Sequence, residues 1–223
     1  MMNMIEKEDP DLIFVQEPSE YQNKPVGIEK KCRIFTAGNR KHREAIVIPN
    51  NKIDAKLITQ ISNEDAVFFE LIHAKIKFFA VSMYLDIEEQ IENSFTKIDE
   101  ILQFAKGARI LIATDSNSRS KTWHDKITNS RGKKLEEYLA SRHLHIINDQ
   151  SEKFTFHNSR GSSNIDLTIT NNNLIADVQE WEISEEESCT DHNFLKFKIG
   201  KANSYENKYN YEGIRYIVKG DKY

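Results

Sequence analysis

The sequence predicts an α/β (α+β) domain: a two-layer β-sandwich of mixed sheets with helices packed outside. Three observations predict it. Short apolar runs rich in Val, Ile and Phe outnumber helical patterns. Several neighbouring runs are joined too tightly for a helical crossover, so the sheets must be mixed or antiparallel. A chain of 223 residues with 39% hydrophobic content is long enough for one sizeable core.

Taken in order, Asn3–Asp9 reads as the end of a helix stopped by Pro10, leading into a strand at Leu12–Gln16. A polar stretch follows. Strands are then predicted at Arg33–Thr36, Ala45–Ile48, Lys56–Thr59, Ala66–Ile72 and Lys75–Met83. Between Ile87 and Lys106 the residues Ile91, Phe95, Ile98, Leu102 and Ala105 recur at helical spacing, with Gly107 as the stop. A strand at Ile110–Ala113 precedes a polar loop carrying Trp123 and His124, then a shorter helix over Lys133–Arg142. His145–Ile147, Phe154–Phe156, Ile165–Ile169, Val178–Ile183 and Phe194–Ile199 complete the strands. One domain over residues 1–200 is expected, with 201–223 as a polar tail or linker in which Tyr216–Val218 is the part able to pair as a strand.

A formal charge of -4 does not suit a protein that coats nucleic acid by net charge, which leaves local basic patches. The two cysteines, Cys32 and Cys189, form neither metal spacing nor a disulfide framework, which fits an intracellular compartment. No apolar stretch approaches the ~18 residues needed to span a bilayer. The opening residues also lack the apolar core of a signal peptide, so a soluble, unexported chain with no membrane partner is expected.

Four acids mark strand ends. Glu17 closes LIFVQE, Asp115 closes RILIATD, Asp166 opens IDLTIT and Asp191 opens DHNFLKFKI beside His192. The first two leave their strands at the C-terminal end and the last two enter at the N-terminal end, so all four share one rim if the second pair runs antiparallel to the first. Asp115 and Asn117, two apart in an extended segment, would face one pocket, where Asp orients or deprotonates a water and Asn donates to a phosphate oxygen. D-x-N is also an ordinary turn signal. His192 needs a carboxylate to fix its tautomer. Its neighbour Asp191 points to the opposite side of an extended chain, so Asp166 is the better partner. Glu17 offers a hard oxygen ligand of the kind Mg²⁺ takes.

The ordered series VQE (15–17), SMY (82–84), ATDSN (113–117), SNIDLT (163–168) and TDH (190–192) resembles the endonuclease/exonuclease/phosphatase superfamily, with its DNase I-like fold. DPDLIFVQEP (9–18), the SxxxxWH segment (118–124) and Arg131-Gly132 resemble the apurinic-endonuclease-like domain of non-LTR retrotransposons. The resemblance implies a metal-dependent DNA endonuclease that leaves a 3′-hydroxyl. Its cofactor would be Mg²⁺, with Mn²⁺ as an alternative. Glu17 would bind the metal and Asp191 would sit by the metal or its water. Tyr84 would seat the scissile phosphate, Asp115 and Asn117 would position the water and a phosphate oxygen, and Asp166 would orient His192 on the phosphate. Double-stranded DNA is the implied partner, with a reverse transcriptase domain in the same polyprotein, and the nucleus is the implied place of action.

For DNA contact, the loop 119–134 offers Arg119, Lys121 and Arg131 around Trp123, and the hairpin loop HNSRGSSN offers Arg160. One departure from the family stands out. Its members begin with a strand carrying an Asn in a segment such as QxNL, next to the equivalent of Leu12–Gln16, and this sequence has no counterpart. Its loss is expected to expose the edge of Leu12–Gln16. A fragment, a start upstream of Met1 and a decayed element are the open explanations. The other functional readings are a phosphatase or phosphodiesterase acting on small phosphate esters and an inactive DNA-binding remnant.

Overall fold

The computed structural model describes residues 2–50, 52–73, 76–186, 188, 190–200 and 214–220. Cys189 and the tail segments 201–213 and 221–223 lie outside the described residues.

The chain opens with α1 (Met2–Glu8) and β1 (Leu12–Gln16), then a small hairpin of β2 (Glu20–Tyr21) and β3 (Lys24–Pro25). β4 (Arg33–Phe35), β5 (Glu44–Ile48), β6 (Asp54–Leu57), β7 (Ala66–His73) and β8 (Ile76–Tyr84) follow. After α2 (Ile91–Ala105) come β9 (Ile110–Asp115), α3 (Ser130–Ser141) and β10 (Leu144–Ile146). The remainder is β11 (Phe156–Asn158), β12 (Gly161–Ser163), β13 (Asp166–Asn171), β14 (Val178–Ile183), β15 (Leu195–Ile199) and β16 (Ile214–Gly220). Two six-stranded sheets result, in the orders β14-β15-β16-β1-β5-β4 and β10-β13-β9-β8-β7-β6, with β11-β12 standing apart as a hairpin. The sheets are mixed, as the tight connections predict: β1 and β8 each pair one neighbour in parallel and the other antiparallel.

Strand alternation builds the layers. Leu12 and Phe14 of β1 face Val67, Phe69, Phe78 and Leu111 of the opposite sheet in the central core. Ile13 and Val15 turn outward to Ile5 of α1. On the second sheet, Ile110 and Ile112 turn outward to Ile98 and Ile101 of α2 and Leu135 and Leu139 of α3. Each fully buried Leu, Ile or Phe contributes about 1.5–3 kcal/mol. The helices hold each other through Phe95 stacked on Tyr138, ring centroids 4.1 Å apart, while the Tyr138 hydroxyl donates to Asp99. α2 ends where Lys106 and Gly107 both take left-handed backbone, the stop that Gly107 predicts. No helix among the described residues is long and apolar enough to cross a membrane.

The structure corrects one expectation. The edge of β1 is covered: β16, from within the stretch read as tail, lies parallel to β1 from Leu12↔Tyr216 to Gln16↔Gly220 and antiparallel to β15. β1 is buried along its whole length, and an unpaired edge there would strand its amides and carbonyls away from water. A proline at Ile217, which pairs Ile13 on one side and Lys196 on the other, removes a ladder amide from a central strand. Ile217→Pro is expected to lower stability by about 2 kcal/mol or more in urea unfolding. A wild-type midpoint would mean that β16 does not hold this seat.

Candidate active site

The strand directions that a shared rim requires are present. β13 runs antiparallel to β9, and β15 runs antiparallel to β16, which is parallel to β1. Register sharpens this: Tyr84, Asp115 and Asp166 are direct neighbours across β8, β9 and β13. Asp115, Asp166 and His192 are buried, and one ligand atom from each lies within 4.8 Å of the others. His192 Nδ1 sits 2.9 Å and 3.1 Å from the two Asp166 oxygens, and Nε2 lies 4.0 Å from Asp115. Asp166 can only accept, so Nδ1 carries the proton and Nε2 is turned toward Asp115. The sequence choice of Asp166 over Asp191 as the histidine's partner matches this geometry.

Glu17 and Asn117, just beyond β1 and β9, both take left-handed backbone at φ 47°. Such backbone is costly for a non-glycine residue and persists only where surrounding bonds hold it. The Glu17 amide donates to the Arg43 carbonyl at 2.7 Å. The Asn117 amide donates to Asp115 Oδ1 at 3.1 Å, and its side chain donates to the Leu85 carbonyl at 3.3 Å. The Tyr84 phenol is held firmly neutral, pushed up by burial and then by the charges of Glu17 and Asp115, so it serves as a hydrogen-bond donor.

Asp115, Asp166 and His192 bring ligand atoms close enough together to hold a metal ion, and the charges of Glu17 and Asp115 both act on Tyr84 beside them. Asp191 is placed differently from the expectation. It is exposed, and its carbonyl accepts from the His157 amide at 2.7 Å; the acids gathered around His192 are Asp115 and Asp166.

The DNA-facing residues divide. Lys121 and Arg160 are exposed. Trp123 is only 1% exposed and its indole N–H donates to the Asn164 carbonyl at 2.9 Å, so it braces the loop from inside; this corrects its assignment to DNA. Arg119 and Arg131 are likewise turned to the protein. Arg119 binds Asp125 and the Ser162 carbonyl, and Arg131 donates to the carbonyls of Leu85, Asp86, Glu89 and Ser116, fastening the loops after β8 and β9 together. A Cβ on Gly132 would meet the Arg119 carbonyl oxygen at 2.0 Å, which explains the glycine of the Arg131-Gly132 pair.

A sequence model of the family described as "Endonuclease-reverse transcriptase" matches residues 78–196, more than half of the chain. The chain belongs to that family. It thereby sits in the endonuclease/exonuclease/phosphatase superfamily, as a nuclease-type domain of the non-LTR retrotransposon branch. It is 26% identical over 170 residues to the "Retrovirus-related Pol polyprotein from type-1 retrotransposable element R1" of Bradysia coprophila, covering 70% of this chain and 16% of that protein. It is 24% identical over 191 residues to the "Putative 115 kDa protein in type-1 retrotransposable element R1DM" of Drosophila melanogaster, covering 82% and 18%. The chain thus spans less than a fifth of the length of these curated relatives. Among solved structures, the endonuclease domain of TRAS1, a telomere-specific non-LTR retrotransposon, superposes with a TM-score of 0.81 at 22% identity, covering 89% of each chain. The AP endonuclease LMAP from Leishmania major gives 0.70 at 11% identity, covering 90% and 81%. These likenesses establish the fold of the family.

Sequence reasoning missed three polar groups beneath the rim. Once its amide is oriented to its donors, the Gln16 oxygen accepts from the amides of Asp115 at 2.7 Å and Thr114 at 3.2 Å, tying β1 to β9 across the sheets. The buried Thr155 hydroxyl accepts from the amides of Ile165 and Asp166, both at 3.1 Å. Glu44, paired with Gln16 across β1 and β5, is fully buried and takes a hydrogen bond from the Ser82 hydroxyl. A polar residue directly adjoining an apolar run, Gln16 at the end of β1 and Glu44 at the start of β5, is the available signal.

Burial raises the Glu44 pKa well above the ordinary carboxylate value, reinforced by the nearby charge of Asp115. Such a group contributes its stability fully below its unfolded pKa and loses it as pH rises toward the folded pKa. Glu44→Gln is therefore expected to raise the thermal midpoint at pH 8, by about 2–4 °C for each kcal/mol relieved, with the difference shrinking toward pH 5. A constant difference across that range would show that Glu44 is not protonated in the fold.

Proposed function

We propose that this chain is a metal-dependent DNA endonuclease that hydrolyses a phosphodiester bond to leave a 3′-hydroxyl. The observation that carries the reading is the buried Asp166–His192 pair held on one rim with Glu17, Tyr84, Asp115 and Asn117. Mg²⁺ or Mn²⁺, held by Glu17 with help from Asp115, would stabilise charge on the phosphate and on the leaving oxygen. Asp115, beside His192 Nε2, takes the proton of the attacking water as the oxygen–phosphorus bond forms and the phosphorus–O3′ bond breaks. The departing O3′ takes a proton from solvent. Tyr84 donates to a phosphate oxygen; Asn117, expected to donate to another, has its side-chain amide on the Leu85 carbonyl and from there fixes the loop that presents Asp115. His192, its ring set by Asp166, donates from Nε2 to the phosphate when charged and is drawn to it by the negative charge.

Double-stranded DNA is the proposed substrate, with Lys121 and Arg160 reaching its phosphates from the loop and the hairpin. The family description and the relatives' polyprotein names motivate a reverse transcriptase in the same polyprotein as the partner that extends the 3′-hydroxyl; action in the nucleus is part of the proposal only as the place where such a partner would use genomic DNA.

Nicking of supercoiled plasmid tests the reading. With Mg²⁺ the chain is expected to convert supercoiled to open-circular DNA, chelation with EDTA to stop it, and His192→Ala or Asp166→Asn to slow it about 10²–10⁴-fold. Hydrolysis confined to small phosphate esters would favour a phosphatase, and DNA binding without cleavage would favour an inactive remnant. Either result would overturn the proposal.

A further inference from the structure

The β11–β12 hairpin joins neither six-stranded sheet, and an isolated two-stranded hairpin is marginal on its own. Its base is fastened directly to the histidine pair. Phe156 forms an antiparallel bridge with His192, flanked by the Asn193 amide donating to the Thr155 carbonyl at 2.8 Å and the His157 amide donating to the Asp191 carbonyl at 2.7 Å. The Asn193 side chain adds a bond to the Phe154 carbonyl at 2.7 Å. Backbone bonds thus hold both sides of His192, and the Phe156 ring meets the imidazole edge-on, centroids 4.9 Å apart at 67°. The preceding residue holds the other partner: the Thr155 hydroxyl accepts from the amides of Ile165 and Asp166. Two consecutive residues therefore set the backbone of Asp166 and the ring of His192.

From this base the hairpin runs outward to an exposed tip of Ser159, Arg160 and Gly161. The tip is an ordered turn, with the Arg160 amide donating to Asn158 Oδ1 at 2.8 Å and His157 Nδ1 paired with the Ser162 hydroxyl at 2.9 Å.

We propose that Phe156 is a positioning residue for His192: its backbone bridge and ring edge hold the imidazole so that Nε2 points in one direction. The inference rests on the nuclease reading for its consequence on rate, but its structural core concerns the ring alone. A ring that can rotate about its bond to Asp166 no longer presents Nε2 in one direction. Misplacement of about 1 Å in such a group costs on the order of 10²-fold in rate.

The experiment compares Phe156→Ala and Phe156→Tyr with wild type on a duplex oligonucleotide, with kcat and KM measured separately. The imidazole Nδ1–H resonance of His192 is followed by NMR, and the backbone amide spectrum checks the fold. Phe156→Ala is expected to lower kcat about 10- to 100-fold with KM within about twofold, and to shift or broaden the Nδ1–H signal while the amide spectrum away from the hairpin stays in place. Phe156→Tyr, which keeps the ring edge, is expected to restore both. An unchanged kcat, or a rise in KM with kcat preserved, would make Phe156 inert or a substrate contact and overturn the proposal. If wild type cleaves no DNA, the nuclease reading fails by itself, and a wild-type Nδ1–H signal in Phe156→Ala would then overturn the positioning role separately.

Discussion

Everything at the rim follows from one pairing: Asp166 stands directly opposite Asp115 across β13 and β9, both buried. Like charges facing each other across neighbouring strands repel, and burial deepens the cost. The surroundings read as the compensation for that arrangement. His192 donates to Asp166, the Asn117 amide donates to Asp115, and the backbone amides of the two acids are taken up by Thr155 and Gln16. A divalent cation beside Glu17 and Asp115 would complete the balance, so the same electrostatic problem that constrains the fold also prepares the site for chemistry.

Much of this was legible in the sequence because it depends on local pattern. The strand runs, the helix from Ile91 to Ala105 and the placement of the acids at strand ends are properties of short segments, and alternation with turn signals reveals them. The choice of Asp166 as partner to His192 needed only the rule that adjacent residues in an extended chain face opposite ways. What stayed hidden was decided by partners distant in sequence. Gln16 meets Asp115 across the gap between sheets, and Phe156 meets His192 through a bridge between a hairpin and a strand entry. Nothing near either residue signals its partner.

The basic loop teaches the same lesson about charge. Arg119, Arg131 and Trp123 look like a surface for phosphate when read along the chain, but the first two are spent on carboxylates and carbonyls and the third on the core. An arginine with five donors can fasten several loop carbonyls at once, which a lysine cannot do in the same planar geometry. Arg131 therefore belongs with the framework that keeps the ends of β8 and β9 together, close behind Tyr84 and Asp115.

The seating of β16 between β1 and β15 bears on how the chain acquires its structure. The second sheet gathers strands that are near in sequence, whereas the first closes by pairing segments about 200 residues apart. Contacts of such long range form slowly, because the loop entropy is lost before the contact rewards it. During synthesis at about 5–20 residues per second, β1 would wait on the order of 10–40 s for its neighbour. Over that interval an apolar strand keeps an open edge, the feature that invites pairing with another chain. The assembly of Glu17, just after β1, with His192, just before β15, is thus a late event, because β16 is seated between those two strands.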